Sequence, residues 1–242
     1  MIASLAMYDR PETRAHYAAL WDSIRAAYPG PSPETLTYGG DPWAQWTAPD
    51  LVLSHTCGLP YRARLADQVT LVGTPDYGID GCHPGYYRSV AVMRLGQSLP
   101  EDFGASRLAY NEGLSQSGWA AAMEYAGGLR FGVYLCTGAH AAAAQAVAEG
   151  RADIAFLDAV TWRMITRWDG VAAKLHEVAT TTPRPGLPLI TRAGDATALA
   201  RATQSAIAAM TDTARADTGL IGLAQIPRAA YLDVPLPPKP LK

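Results

Sequence analysis

The chain of 242 residues is 49% hydrophobic and 17% charged, with a formal net charge of −2. This length suffices for one large domain, or for two lobes that each bury a core. So weak a net charge provides no broad basic field, which argues against nucleic acid or an anionic membrane surface as the main partner, and any anion site has to be local.

Strand-like and helix-like patterns alternate along the chain. The predicted strand and helix pairs are 2–7 with 11–28, 51–54 with 59–67, 107–110 with 116–126, 131–135 with 139–149, and 154–157 with 159–168. Such alternation is typical of an α/β fold. In the third helix, Trp119, Ala122, Met123 and Ala126 share one face, and Gly150 stands where a left-handed cap would end the fourth.

Two extended stretches, 87–94 and 180–191, are predicted to be crossings between two lobes. The first lobe is then expected to comprise residues 1–92 and 188–242, and the second lobe residues 93–187. The Pro-rich tail over 234–241 is expected to form a strap on the surface.

The first ten residues lack the charged region and the long apolar region of a secretory signal. No run approaches the roughly 18 consecutive apolar residues of a membrane helix. As written, the chain is therefore expected to be cytoplasmic or already trimmed, with no membrane insertion.

Three cysteines, Cys57, Cys82 and Cys136, are too few for a disulfide framework, although a Cys57–Cys82 bridge remains open. With His55 and His83 they lack the two-to-four-residue spacing usual for zinc ligands, so no metal is expected. Because no phosphate-binding loop, dinucleotide fingerprint or nucleophile-elbow motif is present, no cofactor is expected either.

The segment Asn111–Trp119 is the strongest candidate for chemistry. Ser115, Gln116 and Ser117 open a predicted helix, where hydroxyls, an amide and unpaired backbone N–H groups would stabilise an oxyanion. Gly118 has no side chain and is expected to let a ligand approach the backbone closely. The alternative is an ordinary serine cap at a helix start.

Polar residues follow other predicted strands, and in doubly wound sheets such turns converge at the carboxyl ends of the strands. His140 lies in the first turn of a helix, whose dipole favours a neutral ring that can donate one hydrogen bond. Asp158 is expected either to cap the next helix or to face a protonated ligand oxygen or an amine. A solvent-facing histidine is the alternative for His140.

Two further groups are candidates. Thr56 and Cys57 offer a hydroxyl and a helix start. One of Tyr86 and Tyr87 is expected to close the cleft, and the alternative is that both are half-buried sheet residues. Cys57 with His55 is also a candidate nucleophile and base, but no third group orients them, and the triad is therefore incomplete.

Several motifs together resemble the phosphate/phosphonate-type substrate-binding proteins of ABC transporters. They are residues 54–61, 72–77, 85–90, 111–119, 137–140 and 153–162, and the resemblance covers about residues 1–192. It implies a type 2 periplasmic-binding-protein fold, with two α/β lobes and a ligand cleft between them, and a periplasmic location.

The resemblance also implies roles for individual residues. Ser115 to Ser117 and His140 would hold the oxyanion, and Asp158 would contact the rest of the ligand. From the other lobe, Tyr8 and one of Tyr86 and Tyr87 would supply aromatic contacts, and Thr56 and Cys57 would line the floor.

The main hypothesis is a non-catalytic, monomeric protein that captures phosphonate, phosphate or a phosphate ester, with ABC transporter membrane subunits as partners. The first alternative is a cytoplasmic enzyme on the same fold, resembling menaquinone or thiamine-precursor biosynthesis proteins. The second alternative is a sensor module whose closed form is read by a protein partner.

Overall fold

The computed structural model describes residues 1–240. The chain forms two compact units. Unit 1 comprises Met1–Tyr86 and Pro185–Val234, and unit 2 comprises Tyr87–Arg184 and residues 235–240.

The secondary structure is mixed. The strands are Ile2–Ser4 (β1), Leu51–His55 (β2), Thr70–Asp76 (β3), Tyr86–Tyr87 (β4), Ser89–Arg94 (β5), Arg107–Tyr110 (β6), Val133–Cys136 (β7), Ile154–Asp158 (β8), Leu175–Thr180 (β9), Arg184–Pro185 (β10), Leu189–Thr191 (β11) and Gly222–Ala224 (β12). The α-helices are Arg14–Ala27 (α1), Pro42–Thr47 (α2), Gly58–Pro60 (α3), Ala121–Tyr125 (α4), His140–Ala148 (α5), Ala159–Trp168 (α6), Ala196–Ala208 (α7), Asp212–Thr218 (α8) and Arg228–Leu232 (α9).

Two π-helical turns, which are wider than the turns of an α-helix, adjoin α-helices. A π-helical turn over Gln116–Ala120 runs directly into α4, and its Ala120 N–H donates to the Ser115 carbonyl at 3.0 Å. A second π-helical turn, Tyr61–Leu65, follows α3 in unit 1. Turns of this kind are rare and occur frequently at functional sites.

Unit 1 is built on a sheet with the order β1-β2-β11-β3-β12. Strand β2 runs parallel to β1 and antiparallel to β11. Every residue of β2 is buried, and its first three residues are apolar. Leu51 belongs to a core cluster that includes Trp46, Tyr61 and Tyr231.

Unit 2 is built on a second sheet with the order β7-β6-β8-β5-β9. Strand β6 is parallel to both β7 and β8, so the carboxyl ends of these three strands lie at the same edge. The segments that follow them contain the serine turn, His140 and Asp158. Trp119, Ala122 and Ala126 are buried in the core beside this sheet, with Met123 packed against it, which confirms the predicted helix face.

The structure moves the lobe boundaries that the sequence predicts. Residues 87–92 lie in unit 2, where β5 pairs with β8 and β9, and not in the first lobe, and residues 185–187 lie in unit 1. The predicted strand over 87–94 is interrupted at Arg88, between β4 and β5. Residues 235–240 also belong to unit 2 and not to the first lobe, since the Trp119 indole N–H donates to the Pro238 carbonyl at 2.6 Å.

The predicted strand and helix pairs are present in both units. The first strand is shorter than expected, because the chain turns into a 3₁₀ helix over Ala6–Tyr8. Gly150 has a φ of 75° just after α5, which confirms the predicted left-handed cap. None of the three cysteines forms a disulfide within residues 1–240, so the open Cys57–Cys82 bridge is not formed.

Within residues 1–240, no helix has both the length and the apolar character that crossing a membrane requires.

Candidate functional site

Ser115 and Ser117 stand at the start of the helix that follows β6. The Ser115 hydroxyl accepts from the Gly118 N–H at 2.9 Å, so Ser115 is the N-cap that its residue type favours. Ser115, Gln116 and Ser117 are buried, at 2%, 3% and 4% exposure. First-turn N–H groups have no intrahelical acceptor, and the dipole places partial positive charge here. This helix start therefore suits an anion.

His140 lies within hydrogen-bond distance of that helix start. Its Nε2 is 2.7 Å from the Ser117 hydroxyl oxygen, although the two residues are 23 positions apart. Burial lowers the pKa of His140 to about 4, so the ring is neutral at neutral pH, as the sequence predicts. The dominant cause is burial and not the helix dipole. Nδ1 is buried and has no hydrogen-bond partner among the described residues.

A neutral imidazole beside a hydroxyl has two arrangements. In one, Nε2–H donates to Ser117, which leaves the serine O–H for an oxyanion; in the other, Ser117 donates to Nε2 and Nδ1 carries the proton. In either arrangement the pair keeps one donor that is not used internally. The pair can therefore bind an oxygen ligand without adding net charge.

Asp158 is placed as a helix cap. One carboxylate oxygen accepts from the Val160 N–H at 2.8 Å and from the Thr161 N–H at 2.9 Å. The side chain is 2% exposed, and its negative charge lies at the positive end of α6. The capping alternative is thus present in the structure, and a direct ligand contact by Asp158 stays a prediction.

Two further residues, Ser89 and Asn111, lie against the serine turn. The Ser89 hydroxyl donates to the Ser117 carbonyl at 2.9 Å, and Ser89 is the register partner of Asp158 in the neighbouring strand. The Asn111 amide oxygen lies where a side chain at Gly118 would stand, 2.0 Å from an ideal Cβ. The expectation that Gly118 opens the backbone to a ligand is therefore wrong, because Asn111 fills that space.

The signals for these two residues were weak. Ser89 follows the paired tyrosines at the start of β5, and Asn111 comes directly after β6 at the edge that holds the other polar residues. A residue just past the carboxyl end of a parallel strand is a general candidate for a site. Neither contact has a fixed spacing in sequence, and only the folded turn brings each pair together.

Tyr87 lies beside the serine turn within unit 2. It is 4% exposed and lines a cavity together with Arg88, Ser89 and Gln116. Tyr86 lies in unit 1, where it packs against the core cluster that contains Tyr61 and Tyr231. The two neighbouring tyrosines thus belong to different units.

The remaining predicted residues lie in unit 1. The Tyr8 ring packs edge-on against His55 and Tyr77, with ring centroids 5.9 and 4.9 Å away. Thr56 is fully buried, its N–H donates to the Pro188 carbonyl at 3.0 Å, and its hydroxyl has no partner among the described residues. Cys57 is buried at the start of α3.

His55 does not have the setting of a general base for Cys57. It is 3% exposed on β2, and burial lowers its pKa to about 4, against the opposing effect of the Leu187 backbone.

No group of three or more histidine, cysteine or acidic residues suited to a metal ion occurs in the part of the chain that the structure describes. The chemistry that unit 2 supports is hydrogen bonding to an anion.

Comparison with protein families gives one match. The model of the family described as "ABC transporter, phosphonate, periplasmic substrate-binding protein" matches residues 53–229, which is more than half of the chain. Among curated protein sequences, none matches the chain.

Solved structures share the fold at low identity. PhnD1 from Prochlorococcus marinus (MIT 9301), in complex with methylphosphonate, has a TM-score of 0.69 at 14% identity, with 95% of this chain and 94% of that chain covered. A binding protein component of an ABC phosphonate transporter from Pseudomonas aeruginosa has a TM-score of 0.67 at 11% identity. The match covers 93% of this chain and 80% of that chain. XAC2383 from Xanthomonas citri, bound to ATP, has a TM-score of 0.62 at 16% identity. The match covers 90% of this chain and 91% of that chain. The expected two-lobed periplasmic-binding-protein fold is confirmed.

Proposed function

This chain belongs to the family of periplasmic substrate-binding proteins of phosphonate ABC transporters, and from that membership we propose that it captures phosphonate, phosphate or a phosphate ester and releases it unchanged. The observation that carries the choice of ligand is the 2.7 Å contact between the Ser117 hydroxyl and His140 at the start of a helix. Hydroxyl donors and a helix N-terminus are a general arrangement for phosphate-like oxyanions.

The electrostatics of unit 2 favour such a ligand. Asp158 is held as a cap by two backbone N–H groups, so much of its charge is offset within α6. His140 is neutral near pH 7 and therefore contributes a hydrogen bond rather than a charge. Hydrogen bonds to an ionised acceptor are about twice as strong as neutral ones, which gives a small site useful affinity.

The first experiment is isothermal titration calorimetry on purified, ligand-free protein. The probes are methylphosphonate, 2-aminoethylphosphonate, phosphite, phosphate, a phosphate monoester and sulfate. We expect at least one phosphorus oxyanion to bind with one-to-one stoichiometry. Absence of heat with every phosphorus probe would refute the proposed ligand class.

The serine turn is tested by Ser117→Ala. Loss of a hydrogen bond to a charged group costs about 1.5–3 kcal/mol, which weakens binding by roughly 10- to 150-fold. The matched control is Ser106→Ala, since Ser106 is also a buried serine of unit 2 but precedes β6, at the opposite end of the strand. Equal affinities for the two variants would remove Ser117 from the site.

Binding without conversion is tested separately. Phosphorus NMR of the bound probe, followed over hours, is expected to show the same compound after release by denaturation. A new phosphorus resonance that depends on His140, Asp158 or Cys57 would instead support the enzyme alternative.

The family membership implies ABC transporter membrane subunits as partners. We propose that the protein acts as a monomer, and light scattering with and without the bound probe tests this. A change of oligomeric state on binding would favour the sensor alternative.

The unit 1 residues Tyr8, Thr56, Cys57 and Tyr86 are proposed as further ligand contacts. Thr56 has the best support, because its buried hydroxyl lacks a partner among the described residues. Thr56→Val keeps the shape and removes the hydroxyl, so weaker binding of the same probe at unchanged thermal stability would support its contribution.

A further inference from the structure

Arg88 is a charged residue of unit 2 that lies near the serine turn, since it shares a cavity wall with Gln116. It lies between β4 and β5 and lines a small cavity with about 10 Å³ of free space. The other arginine of this cavity, Arg184, pairs with Glu124. Within residues 1–240, Arg88 makes no ion pair, and its Nε is buried without a hydrogen-bond partner. The three charged groups of the cavity therefore sum to one uncompensated positive charge.

This cavity adjoins the candidate oxyanion site. Gln116, which lies next to Ser117 in the first helical turn, is part of its wall. Ser89 is also part of the wall, and its hydroxyl donates to the Ser117 carbonyl at 2.9 Å. A ligand bound by the serine turn would therefore have its substituent close to the arginine.

A buried N–H donor without an acceptor is costly, and an arginine presents its donors in a planar fork that matches a carboxylate or phosphate. Thr181 supports the position of this wall, because its hydroxyl accepts from the Ser89 N–H at 3.0 Å. About 10 Å³ of this cavity is free, which is room for about one water-sized atom such as a single carboxylate oxygen.

We propose that Arg88 binds a second acidic group of the ligand, so that the preferred ligands are phosphonates or phosphate esters with a short carboxylate- or phosphate-bearing substituent. This proposal rests on the proposed function, since the first acidic group is the oxyanion at Ser117 and His140. It adds a specificity-determining residue, and it distinguishes dianionic substituted ligands from methylphosphonate and inorganic phosphate.

The test compares two probes that share the phosphonate group. Phosphonoacetate carries an additional carboxylate, whereas methylphosphonate does not. Calorimetric titration of the wild-type protein is expected to show about tenfold or greater preference for phosphonoacetate. Arg88→Gln is expected to abolish that preference and to leave methylphosphonate affinity nearly unchanged.

Two further variants make the test specific. Arg88→Lys keeps the charge and the stem but loses the planar fork, so it is expected to retain part of the preference. Arg130→Gln removes one positive charge from an exposed position of unit 2 and is expected to retain all of it. Thermal unfolding of each variant shows that the fold is intact.

The outcomes separate the two proposals. Equal wild-type affinities for the two probes, or a preference that survives in Arg88→Gln, would overturn the role of Arg88 and leave the oxyanion site standing. Failure of the wild-type protein to bind either probe would overturn both proposals.

Discussion

Acid sensitivity of the fold is predicted to originate partly at His55. This side chain is 3% exposed in unit 1, and burial lowers its pKa from 6.5 to about 4. Between these two pH values the unfolded chain binds one more proton at His55 than the native protein does. The free energy of unfolding therefore falls as the pH falls from 6.5, and this loss is complete once the pH lies below about 4.

The expected magnitude follows from the two pKa values. At about 1.36 kcal/mol for each pH unit that separates them, His55 contributes about 3 kcal/mol of stability at pH 7.5 that is lost at low pH. Since domains are stable by only about 5–15 kcal/mol, this loss is a large fraction of the total.

Urea unfolding at pH 7.5 and at pH 4, followed by tryptophan fluorescence, measures the effect. His55→Gln removes the titrating ring, so the drop in unfolding free energy between the two pH values should shrink by about 3 kcal/mol. The control is His83→Gln, at an exposed histidine of the same unit, which should keep the wild-type drop. If His55→Gln loses as much unfolding free energy between pH 7.5 and pH 4 as the wild-type protein does, the role of His55 is refuted.

Three further predictions concern unit 2. Gly118→Ala places a methyl group against the Asn111 amide oxygen and should lower the free energy of unfolding by about 1–3 kcal/mol, as measured by urea unfolding. Trp119→Phe loses the indole hydrogen bond to the tail, so it should lower the free energy of unfolding by about 1 kcal/mol and raise the amide exchange rate over residues 115–120. The control is Trp21→Phe, which loses the same kind of hydrogen bond to a proline carbonyl in unit 1 and should leave that exchange rate unchanged. Asp158→Ala should lower the free energy of unfolding by about 1 kcal/mol, whereas Asp158→Asn should lower it little because asparagine is also a good N-cap. Equal losses in the two variants would contradict the capping role.

The edge of the unit 2 sheet could be predicted from the sequence because its signals are local. Each of β6, β7 and β8 is followed by a helix, and Ser115 and Asp158 are residue types that favour helix starts. Once these strands are parallel, their carboxyl ends meet, and the serine turn, His140 and Asp158 follow them.

Other elements of the fold depend on tertiary contacts. Strand β3 contains Gly73 and Pro75, which both disfavour a strand, yet it pairs with β11 and β12. The tail after Val234 is rich in proline, which predicts an extended segment but not where it packs. Its contact with Trp119 is 119 residues apart in sequence and has no local signal.

Helix α7 is a different case, because its signals are local and are present in the sequence. Asp195 accepts from the Thr197 and Ala198 N–H groups as an N-cap. Buried Leu199, Ala202 and Ala206 then recur at helical spacing.

The charges around the serine turn show why residue type alone does not define the ligand. Asp158 and Arg88 both lie beside β5 and have opposite charges, so the sequence permits either a cationic or an anionic substituent. The structure separates them: the carboxylate is engaged by two N–H groups of α6, whereas the guanidinium has no acidic partner among the described residues. A ligand gains most from the group that is not already neutralised within the protein, because an engaged group must first give up its own hydrogen bonds. An acidic substituent is therefore favoured over an amine, although the resemblance alone leaves both open.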